Sequence, residues 1–305
     1  MKEKLAFIDH EYHKKTKSGD FLRKILSRQY KITNFWVKKD TKINKRAFIY
    51  KNFFFFQIFP RFSFLNKTFK RNIMWAPMYD SPLHPIGYSK LLWDIIKFYG
   101  VKVVSFNQKI SADAKKNQVK TLDLKYFKKT IISKKIRKKK SSKLKILFWY
   151  RGGIRLNEWI NFFDLNKINK IIYFRTLDTP KEKSLSIVKL NKFEFITKPF
   201  IKNSDFLKII DKIDVFVCSR KKEGIGMAQV EALARGKYLV GFNDGTMNEY
   251  IINKKIGFLF DHQSNKIINV NNVKKNLNFR INYNNRGYKI YSYKKREIVY
   301  FFKKK

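Results

Sequence analysis

The chain of 305 residues holds a single cysteine, Cys218. No intrachain disulfide can form and no cysteine-based zinc cluster can be built, which fits a reducing compartment. Acidic residues are scarce, 23 against 69 lysines and arginines, leaving a formal charge of +46. Long apolar runs are missing too. Spanning a bilayer takes about 20 apolar residues, whereas the most apolar stretch, Phe53 to Phe59, is interrupted by Gln57 and closed by Pro60. The opening MKEKLAFIDHEYHKK meets charge and histidine too soon for a signal peptide. The expectation is a cytoplasmic protein, with peripheral attachment to the inner face of the cytoplasmic membrane as its one open membrane role.

Hydrophobic residues make up 44% and aromatics 17%, well above what an unfolded chain carries. The length suits two domains, each able to bury its own core. Lys, Asn, Ile, Phe and Tyr are abundant together, the composition an A/T-rich coding sequence leaves at tolerant positions. The basic residues are dispersed rather than gathered into one stripe, so nucleic acid is not an expected partner. Peripheral attraction to acidic lipid head groups, at about 1 kcal/mol per nearby basic residue, stays open beside that compositional reading.

Along the chain, a short strand over Leu5 to Ile8 precedes Phe21, Leu22, Ile25 and Leu26 at helical spacing, with Ser18 as N-cap. Strands follow at Asn52 to Phe59, Asn72 to Ala76 and Val101 to Phe106, with a helix from Ser89 to Tyr99 stopped by Gly100. This alternation predicts an α/β fold with a mainly parallel sheet. The run SKKIRKKKSSK, from Ser133, has almost nothing to bury and reads as a linker over 134–143. A second α/β pattern begins at Leu144 with LKILFWY and continues through KIIYF, FEFIT, DVFVCS and KYLVGF. The expected division is an N-terminal domain over 1–133, the linker, a C-terminal domain over 144–277, and a tail over 278–305 that could pack back on the first domain.

The segment from Ser219 to Phe260 carries the chemistry. It starts at the C-terminal end of a strand, where open α/β sheets bind ligands. Gly224 and Gly226 permit close backbone approach and a sharp turn into a helix that Gly236 stops. The first amides of that helix are orphan donors at the positive end of its dipole, suited to sugar hydroxyls or phosphate oxygens. Glu223 and Glu231 sit eight positions apart, at most about 12 Å if helical. That is too far to share a proton, yet suited to gripping a hexose and a ribose at two ends of a nucleotide sugar. After the next strand, Thr246 and Glu249 have capping-box spacing, so a second helix start is expected beside the first.

Glu223-Gly-Ile-Gly, then Glu231-Ala-Leu-Ala-Arg-Gly, then Gly245 to Glu249 and Gly257, resemble the C-terminal signature of retaining glycosyltransferase family 4, the glycosyl transferases group 1. The resemblance runs from about Leu144 to Phe260. It implies a GT-B fold, in which two Rossmann-like domains with parallel sheets face each other across a cleft. It implies transfer of a sugar from a nucleotide-sugar donor, with retention and no metal or cofactor, to a glycan or lipid-linked acceptor in surface polysaccharide or lipopolysaccharide-type synthesis. Glu223 would contact the donor sugar, Glu231 the ribose, and the amides of Gly224, Ile225, Gly226 and Met227 the sugar hydroxyls. Gly245, Thr246 and Glu249 would face the phosphates, and Arg151 and Arg155, after the first strand of the domain, would neutralise them. No Asp-x-Asp pair occurs, which argues against the metal-dependent architecture that uses one.

Each assignment has a plainer alternative. Glu231 could form an i to i+4 ion pair with Arg235, and Glu249 could serve only as a helix cap. His84, within Asp80-Ser-Pro-Leu-His-Pro, is a candidate general base. His10, His13, Lys17, Ser18 and Asp80 are candidates on the acceptor side. Two rivals remain open: a non-catalytic GT-B-like protein that binds polyanions, and another GT-B enzyme such as a nucleotide-sugar epimerase.

Overall fold

Aromatic and β-branched runs buried on both faces make the strands of a parallel sheet. In the computed structural model, which describes residues 1–38, 43–79, 88–131, 143–176, 193–198, 201–260 and 268–303, twelve strands form two such sheets. The chain divides into two units, Met1–Tyr126 with Lys289–Lys305, and Phe127–Tyr288. Of the expected linker only Lys143 is described.

In the first unit β1 (Glu3–His10), β2 (Tyr30–Val37), β3 (Asn52–Phe56), β4 (Asn72–Ala76), β5 (Lys102–Ser105) and β6 (Thr121–Asp123) are joined through α1 (His13–Thr16), α2 (Asp20–Leu26), α3 (Phe62–Lys67), α4 (Lys90–Phe98) and α5 (Gln108–Lys116). The strand order is β2-β1-β3-β4-β5-β6, every pair parallel. All five residues of β3 are buried, and the sheet carries a core that includes Phe53, Phe55, Trp75 and Trp93. The order reverses at β1 and β3, so their C-terminal ends mark the crevice of this sheet.

The second unit is built from β7 (Leu144–Tyr150), β8 (Ile168–Thr176), β9 (Phe193–Lys198), β10 (Val215–Cys218), β11 (Tyr238–Phe242) and β12 (Gly257–Phe260). Its helices are α6 (Leu156–Ile160), α7 (Asn203–Asp211), α8 (Met227–Ala234), α9 (Met247–Tyr250), α10 (Val270–Lys275) and, as far as Tyr288, α11 (Leu277–Lys294). The order is β12-β11-β10-β7-β8-β9, again parallel throughout. This is the Rossmann arrangement, with its reversal between β7 and β10. α12 (Glu297–Lys303) returns to the first unit, burying Ile298 and Phe302.

Several local expectations change. Ser18 does not cap α2; Gly19 occupies the N-cap, and the Ser18 hydroxyl pairs with that of Thr16 at 2.9 Å. β3 stops at Phe56 because Gln57 turns left-handed, with φ of 65°. The tail is helical, although its exposed face carries so many polar residues that no apolar period stands out. No helix among the described residues is long and apolar enough to cross a membrane.

Candidate functional site

The site is built at the strand-order reversal of the second unit. β7 runs straight into Arg151-Gly152-Gly153, and both glycines are left-handed, with φ of 76° and 99°. A Cβ on Gly153 would stand 2.5 Å from the carbonyl oxygen of Ser219, so only glycine lets the two loops meet. Ser219, directly after β10, joins them: its Oγ accepts the Arg151 amide at 2.9 Å and donates to the carbonyl of Trp149 at 3.1 Å. The amide of Ile154 donates to the Ser219 carbonyl at 2.8 Å. Sequence reasoning passed over Ser219 because a serine after a strand carries no signature of its own.

The β10–α8 loop then places Glu223 in a buried position. Cys218 Sγ lies 3.7 Å from one carboxylate oxygen and Arg220 Nη1 3.7 Å from the other. Burial first, and the Glu223 charge second, push the Cys218 thiol up, while Arg151 and Arg220 oppose that shift. Two guanidiniums therefore gather at the end of β10, and Arg151 also lies over the Trp149 ring at 4.8 Å. Arg155 is exposed at the N-cap of α6.

Gly226 enters α8 in the left-handed conformation. The helix's first bond runs from the Val230 amide to the Gly226 carbonyl at 2.9 Å, so the amides of Met227, Ala228 and Gln229 precede the ladder, the position from which helix starts donate to anions. α8 is buried on nearly every side. It ends as expected at Gly236, whose amide donates to the Leu233 carbonyl while that of Lys237 donates to Ala232, a Schellman pair.

The second helix start differs from expectation. α9 is a single turn, and Thr246 makes no capping bond to it. The Thr246 hydroxyl is fully buried and donates to the carbonyls of Glu223 and Gly224, tying the β11–α9 loop to the β10–α8 loop. The predicted capping box with Glu249 is therefore not made by Thr246, and one turn contributes little dipole to any phosphate. Gly245, with φ of 61°, makes the turn before it.

Glu231 is buried between cations. Its Oε2 is 2.7 Å from Arg235 Nη1, and its Oε1 is paired with Lys128. Arg235 Nε reaches Asp211 at 2.9 Å. The Arg235 pair raised as the plainer alternative is thus present, and Lys128 joins it from a segment outside the recognised motif. A carboxylate held on both oxygens is fixed in direction, and each oxygen keeps a further lone pair for a hydroxyl. Gln229, one turn into α8 and 1% exposed, has no hydrogen-bond partner for either amide atom among the described residues.

At the crevice of the first unit, Asp9 is fully buried at the end of β1. It accepts from the His10 amide at 2.7 Å, meets His13 Nδ1 at 2.5 Å, and pairs with Arg23 Nη2 at 2.5 Å. His10 and His13 thus share one cluster, with ring centroids 5.9 Å apart. Burial, then His13, lower the His10 pKa, and Asp9 partly offsets this. Lys17 takes a left-handed φ of 59° in the adjoining turn. Asp9 and Arg23 escaped the sequence reading because neither lies in a motif. Asp80 and His84 lie outside the described residues.

Residues 179–289 match the family model described as Glycosyl transferases group 1. Two six-stranded parallel sheets in the strand orders above give the chain the two-sheet α/β architecture of the GT-B fold. Among solved structures, HepE of Anabaena in complex with UDP is similar at a TM-score of 0.64 and 13% identity, covering 97% of this chain and 98% of that one. HepE in complex with UDP and glucose gives 0.60, 13% identity and 98% of each chain. Sucrose-phosphate synthase from Thermosynechococcus elongatus gives 0.59 at 12% identity, covering 98% and 94%. No curated protein matches the sequence.

Proposed function

We propose that the protein transfers a sugar from a nucleotide-sugar donor held in its second unit to a glycan or lipid-linked acceptor, in synthesis of a cell-surface polysaccharide or lipopolysaccharide-type glycan. Retention, and independence from metal and cofactor, follow from the family resemblance. The observation that carries the donor assignment is the stitching of the β7 and β10 loops through Ser219 at the point where the strand order reverses. UDP is the nucleotide of choice, because HepE, of the same fold, was crystallised with UDP and with UDP-glucose.

In this reading the bond between the anomeric carbon and the diphosphate breaks as the acceptor oxygen bonds to that carbon. Negative charge grows on the leaving phosphate, and preorganised donors stabilise it most where water is excluded. Arg151, Arg155 and the leading amides of α8 supply those donors. Glu223 accepts from sugar hydroxyls, and Glu231 from the ribose. Gly245 and Glu249 line the phosphate side, with Thr246 holding that loop in place.

The test is a thermal-shift screen of the full chain against UDP, GDP, ADP and their sugars, repeated on Glu223→Gln and Glu231→Ala. About 2.7 kcal/mol of stabilisation is expected near 100 times the dissociation constant, and it should shrink in both variants. A wild type that no nucleotide shifts, or variants that respond as it does, would sink the assignment.

A further inference from the structure

The first unit carries a second unusual surface, at the end of its sheet opposite the crevice. α4 buries Leu92, Trp93 and Ile96 against the sheet, as an amphipathic helix should. Its outer face mixes the exposed charges of Lys90, Asp94 and Lys97 with two large apolar side chains. Leu91 is 58% exposed and Phe98, two turns on, 70% exposed. Phe69, 48% exposed after α3, stacks on Phe98 with centroids 5.8 Å apart, and Tyr99 packs edge-on against both at 5.9 and 5.1 Å. A cluster of bulky apolar side chains left in water marks a contact surface rather than chance exposure.

Cations flank this cluster in sequence and in space. Phe69 is followed by Lys70 and Arg71, and Phe98 is preceded by Lys97. All three basic residues line a cavity of about 920 Å³, together with Lys102, Lys120 and Lys303. Glu3 is its only acidic lining residue. The cavity lies at the N-terminal ends of the strands, where Asn52, Asn72 and Lys102 begin β3, β4 and β5. Lys102 is buried, its ammonium on the Phe302 carbonyl at 2.7 Å and Asn72 Oδ1 at 3.1 Å. Like charges concentrated in one concavity, with a single acid to offset them, favour an anion there.

We infer that this face of the first unit rests on an anionic lipid bilayer: Phe69 and Phe98 enter the headgroup boundary, and the basic cavity takes a lipid phosphate. Apolar side chains framed by lysines are the composition of interfacial binding, since the lysine stems lie along apolar surface while their ammonium groups reach the phosphates. A single-stranded nucleic acid would need open ring faces for its bases, whereas Phe69 and Phe98 stack on each other. The inference stands on this surface alone and needs no nucleotide.

The experiment is co-sedimentation of the full chain with vesicles of phosphatidylglycerol and phosphatidylcholine, with phosphatidylcholine alone, and with a short RNA as a competing polyanion. Two double variants change exposed residues only: Phe69→Ser with Phe98→Ser, and Lys70→Glu with Lys120→Glu. Because a chain of +46 attracts any anionic surface, the phenylalanine pair is the decisive arm. At about 0.5 M salt, where the Debye length is about 4 Å, its loss should lower binding to the anionic vesicles at least about tenfold. At about 0.15 M salt the lysine pair should lower it by a similar factor. Melting temperature and the UDP-induced shift should match wild type in both. Equal binding by the phenylalanine variant at both salts would overturn the inference. So would wild-type binding to neutral vesicles as strong as to anionic ones, or binding to RNA with none to vesicles. If UDP shifts nothing while vesicle binding falls as stated, the donor assignment fails and this one holds.

Discussion

Arg235 Nη1 lies 2.7 Å from Glu231 Oε2, with both side chains almost sealed from solvent. Both belong to α8 or its C-cap, and the same guanidinium reaches Asp211 at the end of α7. The site carboxylate is therefore also a fixture of the core.

Removing one partner of such a pair strands a buried charge. Arg235→Met should cost about 3 to 5 kcal/mol, read as a lower urea midpoint with an unchanged slope. Lys128→Met should cost less, because Lys128 is one-third exposed. A loss of under about 1 kcal/mol for Arg235→Met would mean the pair is not formed in solution.

The glycine pair after β7 separates two kinds of constraint. Gly152→Ala meets nothing within 4 Å and strains only its φ of 76°, a cost of about 1 to 2 kcal/mol. Gly153→Ala adds a contact of 2.5 Å with the Ser219 carbonyl. It should destabilise more and weaken UDP binding, because the β7 and β10 loops are pushed apart. Calorimetric melting with and without UDP ranks the two variants, and equal effects would refute the steric account.

Thr246→Val keeps the shape and deletes the hydroxyl that bonds the Glu223 and Gly224 carbonyls. Leaving buried acceptors unpaired costs about 1 to 3 kcal/mol. Gln229→Met is the converse case. Its amide has no partner among the described residues, so the swap should leave stability equal or higher. Chemical denaturation of both variants gives the signs directly.

Lys237 offers a pH test. Its ammonium donates to the carbonyls of Ile213 at 2.7 Å and Asp211 at 3.1 Å. Burial pushes its pKa down to about 8 against the nearby carboxylates of Asp214 and Asp211. An unfolded lysine titrates near 10.4, so between about 8 and 10.4 the unfolded chain binds the proton that the folded chain has released. Stability contributed by this group therefore rises with pH across that window. Relative to Lys237→Met, wild type should gain up to about 1.4 kcal/mol per pH unit, measured by urea unfolding at pH 7.5 and 10. A constant difference between the two proteins would contradict the depressed pKa.

Strands with concentrated aromatic runs, such as LKILFWY and NFFFF, were legible because burial on both faces needs no alternation. β2, YKITNFWV, was not, since its apolar residues are interleaved with polar ones and only its two end residues are buried. The donor loop could be read because Gly226 and Gly236 sit where φ must be positive. What stayed hidden depends on long-range pairing: Ser219 against Arg151, Asp9 against Arg23, and Lys128 against Glu231, 103 positions apart. Thr246 misled for a related reason. Its spacing to Glu249 announces a local cap, and a tertiary contact with two carbonyls outcompeted it.

The return of α12 to the first unit sets an order of assembly. Phe302 fills a gap beside Tyr30, and its carbonyl receives both Lys102 and Asn72. On a translating ribosome those partners wait until the entire second unit has been made. A chain cut before Glu297 would expose the seat of Phe302 and leave the Lys102 ammonium buried without that acceptor. Damage to the segment from Glu297 onward would surface as instability in the unit built mainly from residues 1–126.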